Sequence, residues 1–179
     1  MSNQAKGSSI TRTLRIDEDI DSTLQFEADR QGMSKNALIN KILLHYKDEL
    51  RFHEAVGELS FESETFSLVL NHLDIEEIEE VADALRSRKV QENLMRKGRE
   101  LNYENVLWFI KQIQGEYGGW FRCDIYREAK ADRIHLSHGV GKNWSHFLDY
   151  YLSNIFLEAL GIKIQSVVLE NNVHITIPK

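Results

Sequence analysis

Residues 11–46 constrain the fold more than any other part of the chain, because a short alternating segment there precedes two closely spaced amphipathic helices. The segment reads Thr-Arg-Thr-Leu-Arg-Ile over residues 11–16. In a β-strand, alternate side chains lie on the same face. The segment therefore predicts a strand with one apolar face, Leu14 and Ile16, and one polar face, Thr11, Thr13 and Arg15.

Two helices are predicted directly after this segment. Asp17 and Glu18 are typical of a helix start, and Gly32 predicts its end because glycine readily takes the positive φ of a C-terminal cap. Ser34 predicts the start of a second helix. One short strand and two helices cannot bury enough surface to be stable alone, so dimerisation is the simplest remedy. The apolar stripe of the second helix consists of Leu38, Ile39, Ile42, Leu43 and Tyr46.

This order of strand, helix, glycine turn and Ser-capped helix resembles the ribbon-helix-helix fold of the Arc/MetJ/CopG class of DNA-binding proteins. The resemblance covers about a quarter of the chain. It implies that two chains pair their strands into an antiparallel ribbon that enters the major groove, where an arginine can pair bidentately with guanine. The residues that match the base readers are Thr11, Thr13 and Arg15, and those assigned to phosphates are Arg12, Ser34, Lys35 and Asn36.

Arg12 departs from the family pattern, which usually has an inward apolar residue at this position. Near the end of the ribbon, its side chain is expected to reach a phosphate instead. An edge strand with a polar outer face explains Arg15 equally well. It does not explain why so short a strand precedes two helices, so the DNA-binding interpretation is preferred.

A net charge of −6 is unusual for a DNA-binding protein, so its distribution along the chain matters. Up to Ile16, the chain carries Lys6, Arg12 and Arg15 and no acidic residue. This basic tip is the only part with the charge expected of a DNA contact. The acidic remainder weakens non-specific binding, so a modest affinity is expected unless two dimers cooperate.

The only cysteine, Cys123, excludes an intrachain disulfide framework and is typical of a reducing cytoplasm. No apolar run approaches the length of a membrane span. Residues 1–9 are polar and serine-rich, and they are predicted to be a disordered arm. We expect a DNA-binding domain with a connecting helix over residues 10–57, and a second domain over residues 58–179.

The second domain is predicted to be α+β, with a mainly antiparallel sheet covered by helices on one face. Alternation predicts a strand over residues 66–70, and Asp74 with Glu77 forms a capping box before a long helix that ends at Gly98. Asn102 caps another helix. Two strands follow, around residues 121–125 and 133–138, and then an amphipathic helix and a hairpin that turns at residues 171–172. This order is close to a ferredoxin-like split arrangement with additions.

The sheet face that points away from the helices is a second candidate site. A solvated outer face is the default for an antiparallel sheet. Aromatic side chains beside charged groups instead indicate a dimer contact or a small-ligand site. The residues predicted on this face include Ser67, Trp120, Arg122, Asp124, Tyr126, His135 and His174.

We therefore expect a transcriptional regulator that binds double-stranded DNA as a homodimer or tetramer, with the second domain serving oligomerisation, effector sensing or both. A small molecule or a metal ion is a candidate effector, and no cofactor is expected. Nickel-responsive regulators share this architecture, but the histidine spacing here does not reproduce their ligand set.

Two alternatives stay open. The first is an antitoxin-type repressor that binds a partner protein, although antitoxins of this class usually carry a disordered tail rather than a folded domain. The second is an enzyme that a ribbon-helix-helix unit tethers or dimerises. No nucleophile–base trio, paired carboxylates, phosphate-binding loop or dinucleotide fingerprint is visible, so the chain is not expected to be an enzyme.

Overall fold

The computed structural model describes residues 10–52, 60–85 and 87–179. The chain divides into two compact units, Met1–Lys47 and Asp48–Lys179, called unit 1 and unit 2 below. The arm predicted for residues 1–9 and the boundary predicted after residue 57 lie outside the described residues. None of the described helices is long and apolar enough to cross a membrane.

Two helices joined by a glycine turn form unit 1. Helix α1 spans Glu18–Arg30 and helix α2 spans Lys35–Asp48. Gly32 closes α1 as predicted: its φ is +65°, and its N–H donates to the carbonyl oxygen of Asp29 at 3.1 Å. The next N–H donates to the carbonyl oxygen of Ala28 at 3.0 Å. These two bonds are those of a Schellman cap, which satisfies the carbonyls of the last turn.

Residues 10–17 precede α1 without forming a strand. Strand geometry is stabilised by hydrogen bonds to a neighbouring strand, and among the described residues no strand lies beside this segment. The strand predicted over residues 11–16 is therefore absent from the single chain. The two helices that were predicted to follow it are present.

The described part of unit 2 contains five α-helices, after a 3₁₀ turn at Leu50–Phe52 that follows α2. Their bounds are Ser63–Leu70 for α3, Ile75–Ala84 for α4, Ser87–Arg96 for α5, Tyr103–Trp108 for α6 and Lys142–Asn154 for α7. Helices α6 and α7 continue directly as π-helices, over Phe109–Tyr117 and Ile155–Ala159.

The predicted helix caps are formed. Asp74 Oδ1 accepts the N–H of Glu77 at 2.9 Å, and Glu77 Oε2 accepts the N–H of Asp74 at 2.9 Å, which is a complete capping box. Asn102 Oδ1 accepts the N–H of Asn105 at 2.9 Å. The helix that begins at the capping box is shorter than predicted, however, because α4 ends at Ala84 and a second helix begins after it.

The strand predicted over residues 66–70 is wrong, because these residues form α3. Phe66 and Leu70 are four residues apart and pack inward together, while Leu68 and Val69 are exposed. Over so few residues, an apolar pattern fits either period, and packing against the rest of the core decides between them. Ser67 therefore lies on a helix, where its Oγ donates to the carbonyl oxygen of Val140 at 2.7 Å.

One four-stranded antiparallel sheet, in the order β1-β2-β4-β3, completes unit 2. The α+β class with a mainly antiparallel sheet is thus confirmed. The ferredoxin-like arrangement is wrong, because that fold alternates β-α-β-β-α-β, whereas here two hairpins flank α7. The strands span Arg122–Arg127 for β1, Ala131–Ser137 for β2, Gln165–Val168 for β3 and Asn172–Pro178 for β4.

The hydrophobic core lies between one face of the sheet and the helices of unit 2. Helix α7 contacts β3 and β4, and α4 packs against α7. The buried apolar strand side chains that face the helices are Cys123, Ile134, Leu136, Val173, Ile175 and Ile177. The alternating side chains of the same strands are exposed or half-buried.

Candidate nucleic-acid interface

The segment assigned to the DNA ribbon is fully accessible in the single chain, since every residue from 10 to 17 is exposed. Thr11, Thr13 and Arg15 are thus available for contacts. Leu14 and Ile16, assigned to the apolar face, are 65% and 43% exposed. Exposed apolar residues on this segment indicate a surface that the single chain leaves uncovered.

At the amino end of α2, the three predicted phosphate-contacting residues lie together. Ser34 Oγ accepts the N–H of Ala37 at 3.2 Å, which caps the helix. Asn36 is exposed. Lys35 turns toward α1, where its Nζ lies 2.7 Å from both carboxylate oxygens of Asp21. The amino end of a helix favours anions through its unpaired N–H groups and its dipole, and Lys35 adds a positive charge.

Unit 1 has almost no interior of its own. Between residues 10 and 47, only Ala28 and Leu38 are buried. Leu38 was expected to need a partner chain for its burial. It is already buried within the single chain, where only 6% of its surface is exposed. The large apolar and aromatic side chains that remain exposed in the same range are Ile10, Leu14, Ile16, Ile20, Phe26, Ile42, Leu43, Leu44 and Tyr46.

The second predicted site, the sheet face that points away from the helices, is called the open face below. Strand register places Asp124, His135 and His174 side by side across β1, β2 and β4. The rings of His135 and His174 are stacked, with centroids 4.4 Å apart and planes 11° from parallel. Arg122 and Tyr126 lie at neighbouring positions of this face on β1 and are exposed. Five of the seven residues predicted for this face are thus brought together.

The two exceptions are Ser67, which lies on helix α3, and Trp120, which packs on the helix side of the sheet. Its ring centroid lies 5.4 Å from that of Trp144, 6.2 Å from that of Phe147 and 5.9 Å from that of Tyr151, all on α7. The placement predicted for Trp120 is wrong because alternation applies only within a strand. Trp120 precedes β1, and the φ of +66° at Gly119 changes the chain direction just before it.

A hydrogen-bond chain around His138 was missed in the sequence. The N–H of Val140 points at His138 Nδ1 at 3.3 Å, and His138 Nε2 lies 2.9 Å from Ser145 Oγ. Ser145 is fully buried, and its Oγ donates to the carbonyl oxygen of Glu170 at 3.3 Å. These contacts require a neutral ring with its hydrogen on Nε2, and burial lowers the pKa of His138. Since Nε2 then has no lone pair, His138 is not arranged to take a proton from Ser145.

A buried carboxylate was missed as well. Asp132 is fully buried. Its Oδ2 accepts a hydrogen bond from the Tyr103 hydroxyl at 2.8 Å, Lys179 Nζ lies 2.7 Å from Oδ1, and Arg127 Nη1 lies 3.4 Å from Oδ2. Burial by itself raises the pKa of Asp132, but bonds from Lys179 and Tyr103 and the neighbouring positive charges lower it overall. Alternation with Ile134 was the available signal, since it places Asp132 on the core face.

A groove of about 290 Å³ lies between α6, the following π-helix and β1. Trp108 lines this groove, and Arg99 covers one face of the Trp108 ring, with the guanidinium carbon 3.7 Å from the ring centroid. The volume of the groove is at the lower end of the volumes of small-molecule sites. The groove is lined by Glu104, Leu107, Trp108, Lys111, Gln112, Ile125 and Arg127.

In the described part of the chain, no group of three or more His, Cys, Asp or Glu side chains is placed to hold a metal ion. The thiol of Cys123 is buried against the helices, and this burial raises its pKa to about 12. No protein-family model and no curated protein matches the chain.

Proposed function

We propose that the chain is a sequence-specific DNA-binding transcriptional regulator, which reads the major groove with a two-stranded ribbon formed by a homodimer. The observation that carries this proposal is the exposed apolar surface of unit 1. The two helices and the segment before them expose nine large apolar or aromatic side chains, so their core is incomplete in one copy.

A second copy completes this core most simply. In α2, the exposed Ile42, Leu43 and Tyr46 continue the helix face that begins at the buried Leu38. Leu14 and Ile16 extend the apolar surface onto residues 10–17. Fully burying a leucine or isoleucine contributes about 1.5–3 kcal/mol. These side chains are roughly half exposed, so covering Leu14, Ile16, Ile42 and Leu43 contributes about 3–6 kcal/mol per copy.

The ribbon follows from the same pairing. Two copies of residues 11–16 lying antiparallel supply the hydrogen-bond partners that each copy lacks. Leu14 and Ile16 then face the helices, and Thr11, Thr13 and Arg15 face outward. A two-stranded ribbon fits the major groove of B-form DNA, where arginine can pair with guanine and hydroxyl groups can meet several base edges.

The amino end of α2 supports this arrangement with a second type of contact. Ser34, Lys35 and Asn36 supply a hydroxyl, an ammonium and an amide at the amino end of α2, where the Lys35 ammonium is paired with Asp21 of α1. Such groups bind phosphate oxygens and position the protein without specifying a sequence. Arg12, on the ribbon, is assigned the same role.

The test is selection of duplexes from a random DNA pool by the full chain, followed by affinity measurements on the selected site. Wild-type protein is expected to enrich a site with twofold symmetry. Arg15→Ala is expected to lose preference for that site, since one arginine–guanine pair is worth roughly 1–3 kcal/mol of discrimination and symmetry applies the loss twice.

Arg30→Ala is the matched control, because it removes the same charge from unit 1 at an exposed position paired with Glu27. Ser34→Ala and Asn36→Ala are expected to weaken binding to every duplex without changing the preferred site. A wild-type chain that enriches no site, or an Arg15→Ala variant that keeps the same preference, would contradict the proposal. Co-purification with a second protein and no DNA would support the antitoxin-type alternative.

A further inference from the structure

We propose that the open face of the sheet is a contact surface between two copies of this chain. The strand residues that form the open face alternate with core residues and have no described helix packed over them. They are Arg122, Asp124 and Tyr126 on β1, Arg133, His135 and Ser137 on β2, Asn172, His174 and Thr176 on β4, and Gln165 and Val167 on β3.

Apolar and aromatic groups run across this face. The register aligns His135, His174 and Val167 in one row over β2, β4 and β3. Val167 is 58% exposed, and Tyr126, at the other edge of the sheet, is 55% exposed. The central imidazole rings are stacked on each other; His174 is exposed and His135 is half-buried. Solvation alone does not favour such side chains on a sheet face, whereas protein contacts are enriched in aromatic residues.

The charges on the open face indicate a second copy as the occupant. Arg122 Nε lies 3.4 Å from Asp124 Oδ2, and Arg133 Nε lies 3.3 Å from Oε1 of the adjacent Glu128. Two positive groups and two negative groups therefore balance within this small area. A nucleic acid would require a net positive surface. A face with both signs is self-complementary under twofold symmetry, because each arginine can meet a carboxylate of the other copy.

The size of the face sets the strength of the contact. Four strands about 4.8 Å apart and six residues long cover roughly 400 Å². A stable dimer usually buries about 800 Å² on each partner. The open face is therefore too small to hold two unattached copies together tightly. It forms between copies that are already linked, where the effective concentration reaches the millimolar range. The link between the copies is the proposed dimerisation of unit 1, and only this part of the inference rests on the proposed function.

Disulfide trapping in the full chain tests this contact. His174→Cys places a thiol at the exposed centre of the face, and Val167→Cys places one near its edge in case the first variant fails to fold. The native Cys123 is buried and does not compete. The matched control is Val81→Cys, at a residue 45% exposed on α4, away from the sheet. Under mild oxidation at micromolar protein, the open-face variants are expected to form disulfide-linked dimers at least tenfold faster than the control.

Adding Tyr126→Glu to His174→Cys is expected to reduce that rate to the level of the control, because it places unmatched charge in the contact. Equal rates for the open-face and control variants, with circular dichroism showing native folding, would overturn the inference. Adding Leu14→Arg separates the two proposals. If rapid trapping persists unchanged in that variant, the open-face contact stands without the link, and both the dimerisation of unit 1 through residues 10–17 and the need for that link are wrong.

Discussion

If the chain binds DNA as proposed, Asp21 is expected to oppose that binding by holding Lys35 away from the phosphate backbone. Both carboxylate oxygens of Asp21 lie 2.7 Å from Lys35 Nζ. If Lys35 contacts a phosphate, this pairing must be weakened or broken first. Asp21→Asn is therefore expected to tighten binding to all duplexes, whatever their sequence.

The magnitude follows from the exposure of the pair. The side chain of Lys35 is 28% exposed and that of Asp21 is 46% exposed. Solvent-accessible ion pairs contribute about 0.2–1 kcal/mol, and the exposure of Asp21 favours the middle of that range, about 0.5 kcal/mol. A dimer contains two such pairs, which gives about 1 kcal/mol and a decrease of about fivefold in the Kd for DNA.

Fluorescence anisotropy with a labelled duplex, at several salt concentrations, measures this change. Asp19→Asn is the matched control, since it removes the same charge from an exposed position in the same helical turn without a bond to Lys35. Lys35→Ala is expected to weaken binding. In that background, Asp21→Asn should have no more effect than Asp19→Asn, because the two residues act through one contact.

An Asp21→Asn variant that binds no more tightly than Asp19→Asn would refute this reasoning. Weaker binding would show that Asp21 orients Lys35 toward the phosphate instead of withholding it. Either result is distinct from a failure of the proposed function, in which neither variant nor the wild type binds any duplex.

Three further predictions concern unit 2. Asp132→Ala is expected to lower the free energy of unfolding at neutral pH by about 1–3 kcal/mol. Because the folded-state pKa of Asp132 is lowered, the stability that this carboxylate contributes is lost as the pH falls below about 3.8. Denaturant titrations across that range should therefore show a smaller loss of stability with acid in the variant than in the wild type. The folded-state pKa of His138 is also lowered, so this imidazole binds a proton more readily in the unfolded chain than in the folded one. The wild type therefore loses stability as the pH falls below about 6.5. His138→Gln should reduce this pH dependence in thermal melts. Cys123 is buried and its pKa is raised to about 12, so a thiol reagent should label the native protein slowly and the unfolded protein fast; equal rates would contradict its burial.

Features that depend on a few neighbouring residues could be predicted from the sequence. The cap at Gly32 and the capping box of Asp74 and Glu77 require only the residues within one helical turn, and both are formed. The strands β1 and β2 alternate over enough residues for their buried faces to be assigned correctly. Each of these signals is local.

Features decided by distant parts of the chain could not be predicted in this way. Residues 66–70 carry too few side chains to distinguish a strand from a helix. In the helix that they form, Phe66 contacts the distant Trp144 at a centroid distance of 5.2 Å. The partners of Asp132 come from α6, β1 and the last residue of the chain. The ribbon predicted over residues 11–16 requires a neighbouring strand, and the described residues of one chain place none beside this segment.

The aromatic packing of Trp120 against α7 gives the protein an internal optical label. All three tryptophans, Trp108, Trp120 and Trp144, belong to unit 2. Tryptophan fluorescence therefore monitors the melting of unit 2 and does not detect unit 1, whereas far-ultraviolet circular dichroism detects the helices of both. Coincident transitions by the two methods would mean that the units unfold together, and separate transitions would mean that each melts alone. The wild-type chain thus reports the cooperativity between its two units without any added dye.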